Sequence, residues 1–242
     1  MIESGTMEPI TLNDQSNDCN KDDIIIIGVD EAGRGPLFGD VYVSAVVFNK
    51  HVKDNEDYDL SILKDSKKYT SKKKIEEAFE FVKKISDIYS IKYANVEEID
   101  KYNILQATQR KMHQAIHEVL QKLIQQAIDQ KSFDDNFFTK IKIVVDGNYF
   151  NTFKYFHHDS FKIISHKCLV KGDSLCKEIS AASILAKVSR DRYILDFVQA
   201  NPEYEERYKL SKNKGYGTKD HINGIKSFGY SPFHRKTFKL KK

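Results

Sequence analysis

The chain has 242 residues, of which 40% are hydrophobic and 31% charged, and its formal net charge is +4. This balance predicts a globular protein, and no apolar run approaches the roughly 20 residues that a membrane-spanning helix needs. Residues 1–22 lack the basic start and apolar centre of a secretory signal and predict a flexible polar leader. Three cysteines at no disulfide spacing favour a reducing compartment, the cytoplasm or, in a eukaryote, the nucleus.

Residues 24–48 predict two neighbouring strands joined by a tight loop. An isoleucine-rich run ends at Asp30 and Glu31, small residues follow, and a second β-branched run begins at Val41. Unpaired charge beside a core costs several kcal/mol, roughly, so these carboxylates need a positive partner. A divalent cation would supply it. The alternative is an ordinary acidic pair that faces solvent or an arginine.

The next part of the chain predicts a helix, a strand and a longer helix. Ser71 is a suitable N-cap for a helix with apolar residues repeating over 75–85, and lysines cluster before and within its first turn. Residues 88–94 alternate like a third strand, and 103–130 carry the strongest helical pattern of the chain. The lysines are either a solvated face or contacts to phosphate groups.

A further acid ends the next predicted strand. Residues 141–145 are β-branched and lead directly into Asp146, and 161–164 predict a fifth strand. Because the carboxyl ends of parallel strands share one edge of a sheet, Asp146 is expected near Asp30. Asp173 precedes a helix predicted over 177–200, where it is either a helix cap or another member of the acidic site.

The last part of the chain, 201–242, changes character. From Arg207 onward it holds eleven Lys or Arg residues and one acid, Asp220, with aromatic residues between them. Basic charge interleaved with stacking groups is typical of a surface that binds a nucleic-acid backbone, although a solubilising tail is the alternative.

Five motifs occur in a fixed order across residues 24–238, and together they resemble ribonuclease HII, a type 2 ribonuclease H family. They are DEAGRGP, VVDG, KGDSLCKEISAASILAKVSRDR, GYGT and SPFHR. The resemblance implies an α/β fold of the ribonuclease H type, with a mixed five-stranded sheet flanked by helices over 23–200. It also implies that 201–242 form a small C-terminal helical appendage that binds substrate.

The resemblance implies a metal-dependent endonuclease. Asp30, Glu31, Asp146 and Asp173 match the family's metal-binding acids, for which two Mg²⁺ or Mn²⁺ ions per site are expected. The implied reaction cleaves the RNA of RNA–DNA hybrids and incises 5′ of single ribonucleotides in duplex DNA, leaving a 3′-hydroxyl and a 5′-phosphate. In this chain an insertion-like aromatic segment, 149–161, separates Asp146 from Asp173.

The protein is expected to act as a monomer in ribonucleotide excision and primer removal, without a membrane partner. Further residues match the family's substrate contacts. Tyr216 matches a tyrosine that stacks on the sugar at the RNA–DNA junction. Lys67 and Arg235 are expected on the substrate surface. The residues matching the loop at the ribose 2′-hydroxyl, the group that separates RNA from DNA, are Gly33, Arg34 and Gly35.

Three rival hypotheses remain at this point. The chain could be a binding module without activity, although three acids are intact in strong motifs. It could be a nuclease of the same fold that cuts DNA junctions or ends, which the residues of GRG and GYGT disfavour. It could also be a catalytic subunit that needs accessory chains, which the likeness to single-chain members argues against.

Overall fold

The computed structural model describes residues 24–48, 52, 58–63, 66, 69, 71–86 and 88–238. The predicted leader, 1–22, and the predicted phosphate contact Lys67 lie outside the described residues. Within the described part of the chain, no helix is long and apolar enough to cross a membrane.

A five-stranded mixed sheet forms the centre of the fold, in the strand order β3-β2-β1-β4-β7. The first three strands are antiparallel neighbours, whereas β4 runs parallel to β1 and β7 runs parallel to β4. Two further strands, β5 and β6, form a separate hairpin. The strands are β1 Ile25–Ala32, β2 Val41–Val47, β3 Ile88–Ala94, β4 Ile141–Asp146, β5 Lys154–His157, β6 Ser160–Ile163 and β7 Ser165–Leu169.

Helices cover both faces of this sheet and continue beyond it. They are α1 Lys72–Ile85, α2 Val96–Tyr102, α3 Ile104–Asp129, α4 Lys177–Ala200, α5 Pro202–Tyr208, α6 Leu210–Asn213 and α7 Lys219–Phe228. Because successive strand residues point to opposite faces, Ile27 and Val29 pack against α3 while Val46 packs against α1 and α4. This arrangement confirms the predicted fold class.

Helix α4 lies unusually close to β1, and this contact positions the candidate site. A Cβ atom on Gly28 would stand 2.2 Å from the carbonyl carbon of Glu178, so only glycine allows the helix to approach there. The small residues 180–183 continue this close packing and are buried. The first turns of α4 are therefore held directly against the end of β1 that carries the acids.

Two sequence expectations need correction. Strand β1 does not end at Asp30 but continues to Ala32, so that Asp30 and Glu31 pair with Ser44 and Val43 of β2. The fifth strand of the main sheet is β7, not 161–164, which belongs almost entirely to the hairpin. The alternating apolar residues Phe161 and Ile163, which suggested a core strand, are each 66% exposed.

The C-terminal helices pack onto the outer end of α4. Tyr208, Leu210 and Ile225 share a buried cluster with Phe38 of the loop after β1 and with Ile194 of α4. The basic-aromatic segment thus contacts the loop that carries the predicted substrate residues. The boundary placed between residues 200 and 201 stays a prediction.

Candidate active site

Asp30 is the most deeply placed acid of the candidate site, with 4% of its surface exposed. Its Oδ1 accepts a hydrogen bond of 2.7 Å from the backbone N–H of Glu31. Burial raises the pKa of the Asp30 carboxyl well above its usual value, and the negative charges of Glu31 and Asp146 raise it further. A hydrogen bond from Ser183 of α4 lowers the pKa by less than these effects raise it.

Asp146 lies beside Asp30 because β1 and β4 are parallel. Val29 is the register partner of Val145, so the next residue of each strand emerges at the same edge and on the same face. The Oδ1 of Asp146 accepts a hydrogen bond of 2.7 Å from the backbone N–H of Gly172. This bond fixes the turn that follows β7.

Asp173 follows Gly172, the donor of that hydrogen bond, in a 3₁₀ turn over Gly172–Ser174. It is buried, with 7% of its surface exposed. The preceding residue Lys171 adopts a left-handed conformation with φ of 59°. Asp173 is not the N-cap of α4, which was the alternative interpretation. Cys176 occupies that position, and its side chain makes no capping bond. The turn brings Asp173 to the same corner of the sheet as Asp146.

Glu31 points toward solvent more than Asp30 does. Its Oε1 lies 3.4 Å from Nη1 of Arg34, and the two side chains are 17% and 48% exposed respectively. An exposed pair of this kind contributes little to stability, about 0 to 1 kcal/mol. Arg34 can therefore leave this contact without a large energetic penalty.

The donor chemistry of this corner fits a hard divalent cation. Asp30, Glu31 and Asp146 supply carboxylate oxygens, the ligands that Mg²⁺ and Mn²⁺ prefer, and burial together with the charges of the other two acids raises the pKa of Asp30. Yet no group of three or more Asp, Glu, His or Cys side chains in the described chain is arranged to hold a metal ion. Oxygens of Asp30 and Asp146 are instead bonded to backbone N–H groups. The residue types therefore fit a divalent ion, although the described side chains do not form a complete set of ligands.

Two buried arginines hold the loop after β1, residues 33–40, which we call the glycine–arginine loop. Arg235 donates to the carbonyls of Gly33 at 2.7 Å, Arg34 at 3.0 Å, Pro36 at 2.8 Å and Gly39 at 2.8 Å. The sequence hypothesis that Arg235 lies on the substrate surface is wrong, because its side chain is fully buried. The guanidinium is committed to loop carbonyls and acts by positioning them.

Arg190 of α4 supports the same loop from the other side. It donates to the carbonyls of Asp40 at 2.9 Å, Phe38 at 3.2 Å and Lys214 at 3.0 Å. Gly33 has φ of +96°, and a Cβ there would lie 2.0 Å from Nε of Arg190. Both the backbone conformation and the close approach therefore require glycine at position 33.

Tyr216 lies against the glycine–arginine loop and is 48% exposed. A Cβ placed on Gly35 would be 3.5 Å from the Tyr216 ring, and the Arg190 guanidinium is 5.9 Å from the ring centre. The Tyr216 carbonyl bonds to Nδ1 of His221 at 2.9 Å, and Nε2 of His221 lies 3.0 Å from Nε2 of His234. The structure thus brings Tyr216 together with Arg34 and Gly35 on one accessible surface, whereas Gly33 is buried beneath it against Arg190.

The profile of the ribonuclease HII family matches residues 27–241, which is most of the chain. The chain belongs to the ribonuclease HII family. Members are hydrolases that act as endonucleases on the RNA of RNA–DNA hybrids, and this chain is an enzyme of that class.

Similar proteins agree with this assignment. Ribonuclease HII of Treponema denticola is 40% identical over 90% of this chain and 99% of its own length. Ribonuclease HII of Francisella tularensis subsp. mediasiatica is 37% identical over 89% of this chain and 96% of its own. The crystal structure of ribonuclease H2 from Pyrococcus horikoshii superposes with a TM-score of 0.61 at 24% identity, covering 89% of this chain and 94% of that one, and shows the same fold.

Sequence reasoning missed several residues of this ribonuclease HII site. It did not assign the Ser183 hydroxyl to Asp30, nor the 3.0 Å contact that Ser183 makes with Ser66. It treated Arg190 as part of a motif without a role. A signal was present: Arg190 stands four residues from the apolar Ala186 and Ile194 of α4, so a charge on that side of the helix needed buried partners.

Proposed function

We propose that this ribonuclease HII family member cleaves the RNA of RNA–DNA hybrids and incises 5′ of single ribonucleotides in duplex DNA, leaving a 3′-hydroxyl and a 5′-phosphate. The observation that carries the proposal is the buried carboxyl of Asp30. Its pKa is raised by burial and by Glu31 and Asp146, which indicates a centre that needs positive charge. That centre lies at the end of β1, directly before the glycine–arginine loop.

Asp30, Glu31, Asp146 and Asp173 would hold Mg²⁺ or Mn²⁺ ions, two per site. When bound, such ions supply charge neutralisation for the cleaved phosphate and activation of the attacking water. The protein's part is to hold four carboxylates at one edge of the sheet. The backbone N–H of Gly172 orients Asp146 at 2.7 Å, and the Ser183 hydroxyl orients Asp30.

Recognition of the ribonucleotide falls to the glycine–arginine loop and Tyr216. Arg34 and the exposed Gly35 would let the backbone approach a 2′-hydroxyl closely, and Gly33 would set the path of the loop, because a side chain there would collide with Arg190. Arg235 binds the Gly33, Arg34 and Pro36 carbonyls from inside the protein, so the loop is held in place before substrate arrives. The half-exposed ring of Tyr216 offers a stacking surface next to it.

The wider role follows from this chemistry. We assign the activity to ribonucleotide excision and removal of RNA primers, carried out by a monomer in the cytoplasm, or in the nucleus of a eukaryotic cell. The basic C-terminal segment supports a nucleic-acid substrate. Lys67 is retained as a proposed phosphate contact beside the same substrate.

The proposal is tested with a labelled RNA–DNA hybrid and the matching all-DNA duplex, each with Mg²⁺, Mn²⁺ or EDTA. We expect cuts only in the hybrid and only with a divalent ion. Mass spectrometry of the fragments should show 5′-phosphate and 3′-hydroxyl ends. Cleavage of the all-DNA duplex at a similar rate, or hybrid fragments with a 2′,3′-cyclic phosphate, would contradict the proposed substrate or mechanism.

A further inference from the structure

A cavity of about 460 Å³ lies between the start of α1, the middle of α4 and the turn after α6. Lys72, Lys187 and Lys214 converge on it from these three elements, together with Ser66 and Ser211. None of these lysines was assigned to the acidic centre or to the glycine–arginine loop. Three amines from three separate elements on one concave surface form an arrangement that suits an anion.

The charge of the cavity is only partly balanced by its own acids. Asp191 accepts a bond of 2.6 Å from Nζ of Lys187. Glu76 also lines the cavity, but its carboxylate pairs with Arg192 outside the lining. Nζ of Lys214 donates to the carbonyl of Ser211. Burial lowers the pKa of Lys214, Asp191 opposes this, and repulsion from the positive charges of Lys187 and Lys72 lowers it further. A bound anion would relieve that repulsion.

The backbone adds a further preference for an anion. Helix α1 has 14 residues and begins at Lys72, with Ser71 as its N-cap, and both residues line the cavity. The positive end of the helix dipole therefore lies at the cavity wall. This reinforces the three amines.

The cavity is connected to the acidic centre. Ser66, one of its lining residues, lies 3.0 Å from the hydroxyl of Ser183, which bonds to Asp30. Lys187 follows Ser183 by one turn of α4, about 6 Å along the helix axis. A strand bound along this direction, with a rise of about 3.4 Å per nucleotide, would place a neighbouring phosphate at a similar distance from the cleaved one.

We propose that Lys72, Lys187 and Lys214 form a phosphate-binding subsite that holds a backbone phosphate of the bound substrate, one or two nucleotides from the cleaved one. The inference rests on the proposed function, because it needs a nucleic-acid strand at Asp30. It adds a contact that fixes the position of the strand relative to the acids. Such a contact contributes affinity and register, without reading sequence.

The test is the salt dependence of hybrid binding, measured in EDTA by fluorescence anisotropy. For Lys72→Gln, Lys187→Gln and Lys214→Gln, we expect the slope of log K against log salt to become shallower by about 0.9, the value for one lost phosphate contact. That change corresponds to about eightfold weaker binding at 0.1 M salt relative to a 1 M reference. Lys72 is exposed, so its variant stays informative if Lys214→Gln folds poorly.

Lys84→Gln is the matched control. Lys84 is an exposed lysine on the same helix, about 18 Å from Lys72 along its axis, and does not line the cavity. We expect its slope to equal that of the wild type. Equal slopes for all four variants and wild type would overturn the subsite.

A second arm identifies the source of the phosphate. Methylphosphonates are placed singly along each strand, which removes one charge at a time. At one position, we expect the methylphosphonate to weaken binding by wild type about eightfold. The same methylphosphonate should not change the affinity of Lys214→Gln, which already lacks that contact. Additive losses at every position would overturn the proposal. One further result would overturn it. If inorganic phosphate alone stabilised the wild type thermally but not Lys214→Gln, and no methylphosphonate position were coupled to Lys214, the cavity would be assigned to free phosphate.

The two proposals fail separately. Hybrid cleavage with Mg²⁺ is scored on wild type in the same preparation. Absence of cleavage with intact slope differences would overturn the proposed activity and leave the subsite standing. Cleavage by wild type with unchanged slopes would do the reverse.

Discussion

Replacing Arg235 by lysine tests how the glycine–arginine loop is held. The fully buried guanidinium donates to four backbone carbonyls at 2.7 to 3.0 Å. Burial and the nearby charge of Arg190 lower the pKa of Arg235 to about 9, so the group stays charged at pH 7. A lysine keeps the charge but presents one ammonium in place of a planar fork. We therefore expect at least two carbonyls to lose their donor.

An unsatisfied buried carbonyl costs about 1 to 3 kcal/mol, so Arg235→Lys should lower the free energy of unfolding by about 2 to 6 kcal/mol. Natural domains have roughly 5 to 15 kcal/mol in total, so the variant should still fold at low temperature. The measurement is urea denaturation followed by circular dichroism, with an unchanged m value. Arg110→Lys, at an exposed arginine that stacks 4.0 Å from the Tyr102 ring centre, is the control and should lose less than about 1 kcal/mol. A loss at Arg235 as small as at Arg110 would refute the positioning role.

Three further substitutions test the acids, the loop and the histidine pair. The pKa of Asp30 is raised above its value in the unfolded chain, so metal-free protein should gain stability as pH falls through the folded pKa. Asp30→Asn should abolish this gain, raise the metal-free unfolding free energy at pH 7 and abolish cleavage; an unchanged pH dependence would contradict the account. Gly33→Ala should cost about 1 to 3 kcal/mol more than Gly229→Ala in urea denaturation, because both positions have positive φ but only Gly33 meets Arg190. Burial and His221 lower the pKa of His234 to about 4, so its contribution to stability is present above pH 6.5 and is lost as pH falls toward 4. The loss of stability between pH 7 and pH 5 should therefore be smaller in His234→Gln than in wild type, and equal losses would count against the buried neutral pair.

The elements that sequence predicts well are those whose pattern is local. Strand β3 has the predicted bounds, 88–94, and helix α4 spans the predicted 177–200. Ser71 caps α1 through its side chain, which accepts a bond from the N–H of Lys74. In each case the apolar period and the terminal residue lie within one continuous segment, so no distant contact is needed to recognise them.

The predicted strand 161–164 forms, as β6 over Ser160–Ile163, but it is not the fifth strand of the main sheet, because a strand pattern does not say which sheet the strand joins. Phe161 and Phe156 pair across the hairpin, with ring centres 5.2 Å apart, and both remain exposed. The true fifth strand, β7, has only intermediate or exposed residues and carries little apolar signal. Its place is set by pairing with β4, a tertiary contact that propensity does not contain.

Asp30, Glu31 and Asp146 could be proposed from sequence because they stand at or near the ends of apolar strand patterns. The roles of the arginines could not. Arg235 binds carbonyls about 200 residues earlier in the chain, and Arg190 binds carbonyls about 150 residues earlier. A basic residue in a basic segment is predicted to lie on the protein surface. Only the fold shows that the glycine–arginine loop turns its carbonyls inward, toward the two arginines. The glycine–arginine loop is thus fixed by residues that sequence order alone does not connect to it.

The most direct test uses a labelled DNA duplex that carries one ribonucleotide, with Mg²⁺ or Mn²⁺, and compares wild type with Asp30→Asn and Tyr216→Ala. Cleavage on the 5′ side of the ribonucleotide by wild type, its loss in Asp30→Asn and its weakening in Tyr216→Ala are the predicted results. If Tyr216→Ala cleaved this duplex as well as wild type, the junction role of Tyr216 would be wrong. Tight binding by wild type without cleavage in either ion would contradict the central claim.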